Sequence, residues 1–489
     1  MNKQINVVLI NPPNTDRDSY IARSADRWPH RVKRGKLFSN KLFPKYPLYL
    51  MYSAAVLEKQ GFNVTVIDAA ERDIDNKATV EIVKRIKPAP VLIGIETASP
   101  SLDNDMLFAC SLKNLVSAHI CLFGPHATVY HSEILNRYPF IDSVARGEHF
   151  LPLADLASSI SSKASLSSVR GLSYRSHEAV IINPEAKLLD DIDTLPLPAR
   201  HLLDPHRYLM GHYTYKPQLL MVTSMGCPHR CIFCLWNKVL YDGKVRMRAP
   251  GKVVEEMFLL KDKYGAKEIY FDDDCFNITV KRVFDVCEEI IKSKIKIPWI
   301  TEMTCNNTTY DMLKIMKKAG CIKILYGVES GNQGILDRSK KNVTIEQIEN
   351  AFRMTRKAGI KSHATFMFGL PGETKETIAQ TMKLARKLNP DTIQCSIALP
   401  YPGTEFYEIA KRDGTLSVDN WIDFDGELCG VIKYPGLTKE IIRDSVGQMY
   451  RQYYIRPRYI ISRILAIRSL SDINRFINLA MGYFRRFSN

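Results

Sequence analysis

The spacing of apolar positions in the first ~160 residues switches between two periods. Short runs rich in branched side chains predict strands at Ile5–Ile10, Asn63–Ile67, Val91–Ile95, His119–Phe123 and Ile141–Ala145. Between them, apolar residues recur every three or four positions. This predicts helices at Pro47–Gln60, Ala78–Ile86, Leu102–Val116 and Ser132–Tyr138. Strands alternating with helices of this length form βαβ units, hence a doubly wound, Rossmann-like parallel sheet. Ligands of such sheets bind beyond the carboxyl ends of the strands. The expected boundary of this unit is residue 160, followed by a linker over 161–212. The linker opens on the Ser-rich Ser158–Ser168, includes a hairpin over Gly171–Ile182 and closes on a Pro-containing stretch.

A second alternating pattern occupies 213–415. Its strands are expected at Gln218–Thr223, Glu268–Phe271, Trp299–Met303, Lys323–Val328, Lys361–Phe368 and Thr392–Leu399. Helices are expected at Val253–Tyr264, Val283–Lys292, Asp311–Ala319, Ile345–Ala358 and Glu376–Leu388. Six βα repeats in this length predict a partial (β/α)6 TIM-like barrel, whose active site lies at the carboxyl ends of the strands. Residues 416–489 read as a basic helical tail. The fold class is therefore α/β: a doubly wound sheet, a partial barrel and a helical C-terminal region.

Composition narrows the functional class. With 45% apolar and 25% charged residues among 489, the chain is an ordinary globular protein. No apolar run approaches the ~18–20 residues of a spanning helix, and Met1–Pro13 lacks the order of a secretory signal. A cytoplasmic location follows as the expectation. Eleven cysteines without an export signal favour metal chemistry over disulfides. The formal charge of +16 is concentrated in two places. Arg27–Lys45 holds seven basic residues and no acid; Ile441–Asn489 holds nine Arg and two Asp. The first lies at the presumed ligand edge of the sheet. The second interleaves Arg with Tyr, Phe, Ile and Leu, a pattern suited to the inner face of an anionic membrane, although such charge also serves as solvated surface. No nucleic-acid-reading module is present.

The sharpest chemical signal is Cys227-Pro228-His229-Arg230-Cys231-Ile232-Phe233-Cys234, directly after a predicted strand. Three thiolates at C-x3-C-x2-C spacing suit three irons of a [4Fe–4S] cluster, leaving one iron open. A structural zinc site with His229 as fourth ligand is the alternative; the absence of a second distant pair of ligands argues against it. The remaining cysteines are dispersed and read as packing residues. A catalytic role for Cys275 or Cys305, which follow strand ends on the presumed active face, stays open.

This triplet after the first of six βα repeats resembles the radical S-adenosylmethionine (SAM) superfamily. The resemblance extends along the barrel. Phe233 precedes the third cysteine, where the family places an aromatic residue near adenine. The second strand ends in Asp272-Asp273-Asp274, the fourth in Gly327-Val328-Glu329-Ser330-Gly331 and the fifth in Gly369-Leu370-Pro371-Gly372-Glu373-Thr374. Taken singly, these motifs also suit strand-ending turns and a helix cap at Thr374. The resemblance implies that Cys227, Cys231 and Cys234 hold the cluster. It also implies that Phe233, Asp273, Glu329, Ser330, Gly369, Gly372 and Glu373 surround SAM. Reductive cleavage of SAM to methionine and a 5′-deoxyadenosyl radical follows, with the electron supplied by an external reductant of flavodoxin or ferredoxin type.

The first unit resembles the cobalamin-binding domain of the B12-dependent radical SAM class. The echoes are Asn11-Pro12-Pro13, Lys45–Ala69, Gly124-Pro125-His126-Ala127-Thr128 and Arg146-Gly147-Glu148. Asn11, Pro12, Thr97, Gly124, His126, Gly147 and Glu148 are the implied cobalamin contacts. The D-x-H-x-x-G motif that supplies a lower axial histidine in other cobalamin proteins is absent. Asp204-Pro205-His206 lies in the linker and lacks the following glycine, so His126 is read as a neighbour of the corrin and not as a cobalt ligand. NAD and FAD are disfavoured, because no G-x-G-x-x-G follows the first strand. Phe233-Cys234-Leu235-Trp236 and Tyr241–Pro250 look closest to the branch containing anaerobic magnesium-protoporphyrin ester cyclase and hopanoid-associated radical SAM proteins. The implied reaction is hydrogen abstraction from an unactivated carbon of a small or lipid-like molecule, followed by methyl transfer from methylcobalamin. Radical cyclisation, oxidation or rearrangement without methyl transfer is the second reading; a non-catalytic Fe–S and corrinoid-binding protein is the third.

Overall fold

The computed structural model describes residues 5–13, 19–23, 30–33, 45–208, 212–418, 420–424, 426 and 430–465. Cys429, the tail from 466 to 489 and most of the basic Arg27–Lys45 segment lie outside the described residues. The strands run in chain order as β1 (Asn6–Asn11), β2 (Ser19–Ala22), β3 (His30–Lys33), β4 (Asn63–Asp68), β5 (Leu92–Glu96), β6 (His119–Phe123), β7 (Ser143–Ala145), β8 (Leu172–Ser176) and β9 (Ala179–Ile182). They continue with β10 (Gln218–Met221), β11 (Ser224–Met225), β12 (Arg246–Met247), β13 (Glu268–Phe271), β14 (Trp299–Met303), β15 (Cys321–Glu329), β16 (Lys361–Phe368) and β17 (Thr392–Ile397).

The first sheet has the order β4-β1-β5-β6-β7-β8-β9. Its first five strands are parallel; β8 and β9 are antiparallel. Every residue of β1 and β5 is buried, as parallel strands covered on both faces require. Alternate residues of β1 serve opposite layers. Val7 and Leu9 join a cluster with Leu57, Phe150 and Leu153, whereas Val8 and Ile10 join Val80, Met106 and Phe108. The expected hairpin is present, but it extends this sheet by two strands and is no free linker. The expected boundary at residue 160 also falls within a helix, Phe150–Ser162. Its apolar face (Phe150, Leu153, Leu156, Ala157) outweighs the serines, which bond back to carbonyls: Ser162 Oγ lies 2.7 Å from the Ser158 oxygen.

The second sheet is wholly parallel, in the sequential order β10-β13-β14-β15-β16-β17. Helices Pro250–Asp262, Val280–Lys292, Tyr310–Lys318, Ile345–Lys357 and Lys375–Leu388 follow the strands and cover one face. They pack there on Leu219, Met221, Ile269 and Phe271. The opposite face contributes Leu220, Tyr270, Ile300 and Leu325 to the same cluster as Leu9 and Leu57 of the first unit. Helix Leu48–Lys59 stands between the two sheets and is buried at every position from Leu48 to Leu57, the signature of a helix enclosed on all sides.

The outer edge of β17 is covered by side chains. Helix Lys439–Tyr454 lies along it, and the Ile393 and Cys395 amides donate to the hydroxyls of Tyr454 (2.8 Å) and Tyr450 (2.9 Å). The Tyr454 hydroxyl also lies 3.0 Å from the Ile393 carbonyl and that of Tyr459 3.0 Å from Asp391 O. These hydroxyls satisfy backbone groups that another strand would otherwise pair. No helix among the described residues is long and apolar enough to cross a membrane.

The two units are clamped by a buried, bidentate pair. Arg246 Nη1 and Nη2 lie 2.9 and 2.7 Å from the Glu148 carboxylate, and the guanidinium covers the Tyr241 ring at 5.2 Å. Arg246→Ala leaves Glu148 buried and unpaired, so it is expected to lower stability by about 3–5 kcal/mol. Guanidinium denaturation checks this; a loss below ~1 kcal/mol would show that the pair carries little of the interface.

Candidate active site

The cysteine loop begins where β10 ends and is held by its neighbour strand. The Asp273 carboxylate, fully buried, accepts from the Thr223 amide (2.6 Å), the Ser224 amide (3.1 Å) and the Thr223 hydroxyl. Asp274 accepts from the Gly226 amide at 2.8 Å. Gly226 adopts φ +90°, and a Cβ there would fall 2.0 Å from the Lys244 carbonyl, so the turn into Cys227 admits no side chain. Asn237 closes the loop from the far side. Its oxygen accepts from the Cys227 amide (3.1 Å), and its amide nitrogen donates to the Cys227 and His229 carbonyls (both 2.9 Å).

Cys227, Cys231 and Cys234 all line one cavity of about 260 Å³ at the carboxyl end of the second sheet. Phe233 lies in the same wall. Burial pushes the Cys231 thiol up to about 11, against the opposing pull of Lys341, and burial raises Cys234 as well. Free thiolates are thus disfavoured here, and a bound cation is what stabilises them. Three thiols converging on one enclosed space fit three corners of an iron–sulfur cluster.

In the wall of the same cavity, Glu329 and Lys341 form a pair at 2.9 Å, both about one-tenth exposed. Burial alone would lower the Lys341 ammonium; Glu329 overrides it and holds the group above its ordinary value. Glu329 adopts φ +65°, uncommon for a side chain with a Cβ and characteristic of functional positions. Gly327 provides the space: a Cβ there would lie 2.5 Å from the Glu329 carboxylate and 2.7 Å from Lys341 Nζ. An ammonium and a carboxylate side by side suit a zwitterionic amino-acid group. The rest of the wall is mixed: Tyr270, which donates to Glu302, and Thr365, Gln394 and Ser396 from later strands stand among the apolar Met303, Leu325, Phe366, Met367, Ile397 and Leu399.

The other expected SAM neighbours stand behind this wall. Asp273 is committed to the loop amides. Ser330 Oγ lies 3.3 Å from Thr381 Oγ1 and takes the Asn332 amide (3.2 Å). Gly369, Gly372 and Glu373 form a turn in which one Glu373 oxygen accepts from the Gly369 and Leu370 amides; burial pushes this carboxyl up to about 8. None of these five lines the cavity among its described walls.

The expected cobalamin contacts gather at the carboxyl edge of the first sheet, where several are already engaged. Arg23, 1% exposed, lies 2.7 Å from Asp105 and donates to the Asn11 side chain (2.9 Å) and the Pro12 carbonyl (3.0 Å). Thr97 Oγ1 donates to Asp105 (2.7 Å), and Glu148 is held by Arg246. Gly147 donates its amide to Thr128 Oγ1 (3.0 Å), and Gly124 starts the short helix Pro125–Val129. His126 is different. Its Nδ1 meets Ser99 Oγ at 2.9 Å, whereas its Nε2 is buried with no hydrogen-bond partner. Burial lowers its pKa to about 3, so the imidazole is neutral. Trp421 and Tyr130 pack on the ring at 4.7 and 5.0 Å. An orphaned neutral nitrogen at this edge fits a large polar cofactor. His206 of the linker is exposed, and Asp204 merely caps its turn.

Lys341, Asn237 and Lys45 were not legible as site residues. Lys45 lines the cavity and pairs with Asp272 at 3.1 Å across the two units. Lys341 sits in a loop without a motif, Asn237 opens a buried helical turn among apolar residues, and Lys45 stands in the sequence only as the first residue of the Lys45–Ala69 segment.

Comparison with known proteins agrees with this geometry. The model of the radical SAM superfamily matches residues 221–385. An uncharacterized methyltransferase of Pyrococcus horikoshii is 30% identical over 419 residues, covering 86% of this chain and 90% of that protein. The anaerobic magnesium-protoporphyrin IX monomethyl ester cyclase of Rubrivivax gelatinosus is 26% identical, covering 85% and 74%. Among solved structures, the radical SAM methyltransferase TsrM from Kitasatospora setae, with cobalamin and a [4Fe–4S] cluster bound, shares the fold. Its TM-score is 0.67 at 17% identity, with 93% and 90% of the two chains covered. Fold and site together define an α/β enzyme with a radical SAM, TIM-like core. The chain belongs to the radical SAM superfamily, in the group that includes these methyltransferases and ester cyclases, and its family cofactors are a [4Fe–4S] cluster and SAM.

Replacing Cys234 by Ala is expected to abolish stable cluster uptake. After anaerobic reconstitution, iron analysis should fall from about four irons per chain to near zero, with loss of the broad visible absorption. A fully loaded Cys234→Ala protein would remove this residue from the ligand set.

Proposed function

We propose that this protein is a cobalamin-dependent radical SAM methyltransferase. The observation that carries the proposal is the single cavity shared by the cysteine triplet, the Glu329–Lys341 pair and Lys45, which leads into the helix between the two sheets. Cys227, Cys231 and Cys234 hold the cluster. Lys341 attracts the SAM carboxylate, Glu329 its ammonium, and Phe233 lies beside the adenine. Cobalamin occupies the space between the carboxyl edge of the first sheet and the mouth of the second, read here as a partial (β/α)6 barrel facing a Rossmann-like domain. Asn11, Pro12, Thr97 and Glu148 shape that edge through their internal bonds. Gly124, His126 and Gly147 meet the cofactor. When bound, these groups supply a SAM-derived radical that abstracts hydrogen from carbon and a cobalt-borne methyl group. The chain's own part is to position them and to exclude water. An external reductant of flavodoxin or ferredoxin type delivers the electron. Glu302, Thr365, Gln394 and Ser396 beside the apolar Met303, Leu325, Met367 and Leu399 support a substrate with an apolar body that carries hydrogen-bonding groups.

The similarity to the Rubrivivax enzyme favours one second reading, radical cyclisation without methyl transfer. Anaerobic reconstitution with cobalamin, SAM and a reductant, followed by product analysis, separates the two. The proposal expects 5′-deoxyadenosine together with S-adenosylhomocysteine. 5′-Deoxyadenosine alone supports the cyclase-type reading, and neither product overturns both.

We also propose that the C-terminal region rests on an anionic membrane. Helix Pro457–Leu465 exposes Ile460, Ile461, Ile464 and Leu465, the last 78% exposed, within the Arg-rich stretch. Apolar contacts beside excess Arg suit an anionic lipid surface. The purified full-length protein is expected to float with phosphatidylglycerol vesicles but not with phosphatidylcholine vesicles. Ile461→Ser combined with Leu465→Ser should reduce flotation. Equal behaviour on both lipids refutes the idea.

A further inference from the structure

One sulfur of the cysteine loop has a second set of neighbours. The donor atoms of Cys227, His229 and Cys275 all lie within 4.8 Å of one another. Cys275 closes the Asp272–Cys275 segment, whose carboxylates grip the residues just before Cys227. It is 1% exposed, and its Sγ lies 3.4 Å from Asn277 Oδ1. Asn277 is itself locked, bonded twice to the Thr304 backbone at 2.9 Å. The thiol is therefore set in a rigid frame. His229 Nε2 is buried without a hydrogen-bond partner. The residue also borders an outer depression with Pro228, Arg230, Asp337 and Lys340.

We propose that Cys227, His229 and Cys275 form a site for one zinc-like divalent ion in the cluster-free protein, exclusive of the cluster because both need Cys227. The inference rests on the reading of Cys227 as a cluster ligand. A tetrahedral ion bound at about 2.3 Å to sulfur and 2.0–2.1 Å to nitrogen places its ligands about 3.5–3.8 Å apart. From separations within 4.8 Å, the three donors therefore need to close by no more than about 1.3 Å. Two thiols lose their protons on binding, so the two thiolates and a neutral imidazole balance the 2+ charge, with water in the fourth position. Thiolate and imidazole donors select zinc or cobalt over magnesium or calcium. The consequence is regulatory: free zinc holds the enzyme in an unloaded form.

The probe is Co(II), added to the anaerobic, reduced, cluster-free full-length protein. One ion per chain is expected, with sulfur-to-cobalt charge-transfer bands in the near ultraviolet. Cys275→Ala, the near-isosteric Cys275→Ser and His229→Ala should each weaken binding by about tenfold or more. A Cys231→Ala/Cys234→Ala double variant, unable to hold a cluster, should keep the site. Wild-type protein preloaded with zinc should resist cluster reconstitution, whereas Cys275→Ala preloaded in the same way should not. Undiminished cobalt binding in both Cys275 variants, or its loss in the double variant, overturns the proposal. Failure of metal-free wild-type protein to assemble a cluster would instead overturn the reading of Cys227 as a cluster ligand.

Discussion

The structure depends on one helix having no solvent face. Leu48–Lys59 is buried along nearly its whole length, with the first sheet on one side and the inner face of the second on the other. Its Tyr49 meets Trp236 edge-on at 5.0 Å and stacks on Phe150 at 6.0 Å. Trp236 stands two residues beyond the last cysteine of the triplet, and Phe150 two residues beyond Glu148. A single ring thus fixes the separation of the two ligand-bearing edges. Burial of large aromatic surface is non-directional, but rings locked in such pairs resist sliding. The buried Lys45–Asp272 and Glu148–Arg246 pairs then choose one register among the packings that the apolar surfaces alone would allow. Specificity of docking, more than added stability, is what ion pairs of this kind contribute.

The same logic operates at shorter range around the cysteines. A loop that must present three sulfurs to one ligand cannot rely on its own backbone bonds. Here the turn after β13 lends it two carboxylates, and Asn237 lends an amide. Asp273 is the costlier contribution, since a fully buried carboxylate is tolerated only when most of its lone pairs are occupied. The Glu329–Lys341 pair follows a different rule. It is left beside the cavity with one face toward the ligand space, so its charges are compensated without being consumed.

Much of this was legible in the amino-acid sequence. The six strands of the second sheet and their helices follow the apolar periodicity to within a few residues, because parallel strands buried on both faces leave a strong signal. The cysteine triplet was legible through spacing, and Glu329 through the family resemblance of its strand end. What escaped has physical causes. Helix Phe150–Ser162 was masked by serines whose hydroxyls bond their own helix. The hairpin β8–β9 was visible as a hairpin, but its docking on β7 depends on edge pairing that no local pattern encodes. Asp273, Ser330 and Glu373 sit at strand ends or in the turns beyond them, yet they brace the loops and leave the cavity to their neighbours. Sequence spacing locates such a residue at the active end of a strand; it does not say whether the side chain turns inward or toward the next loop. Lys341 lies in a loop where nothing repeats, and Asn237 opens a single helical turn too short to show a period.

The tyrosine cover on β17 has a consequence for synthesis. Tyr450 lies 55 residues after Cys395, whose backbone it satisfies. A ribosome adding ~5–20 residues per second needs roughly 3–11 s to cover that distance. Throughout that interval the last strand of the sheet exists without its cover, with unpaired amides and carbonyls open to any neighbouring nascent chain. The edge is closed only by residues made 55 positions later, so the window for faulty intermolecular pairing is set by translation speed and not by the equilibrium stability of the finished fold.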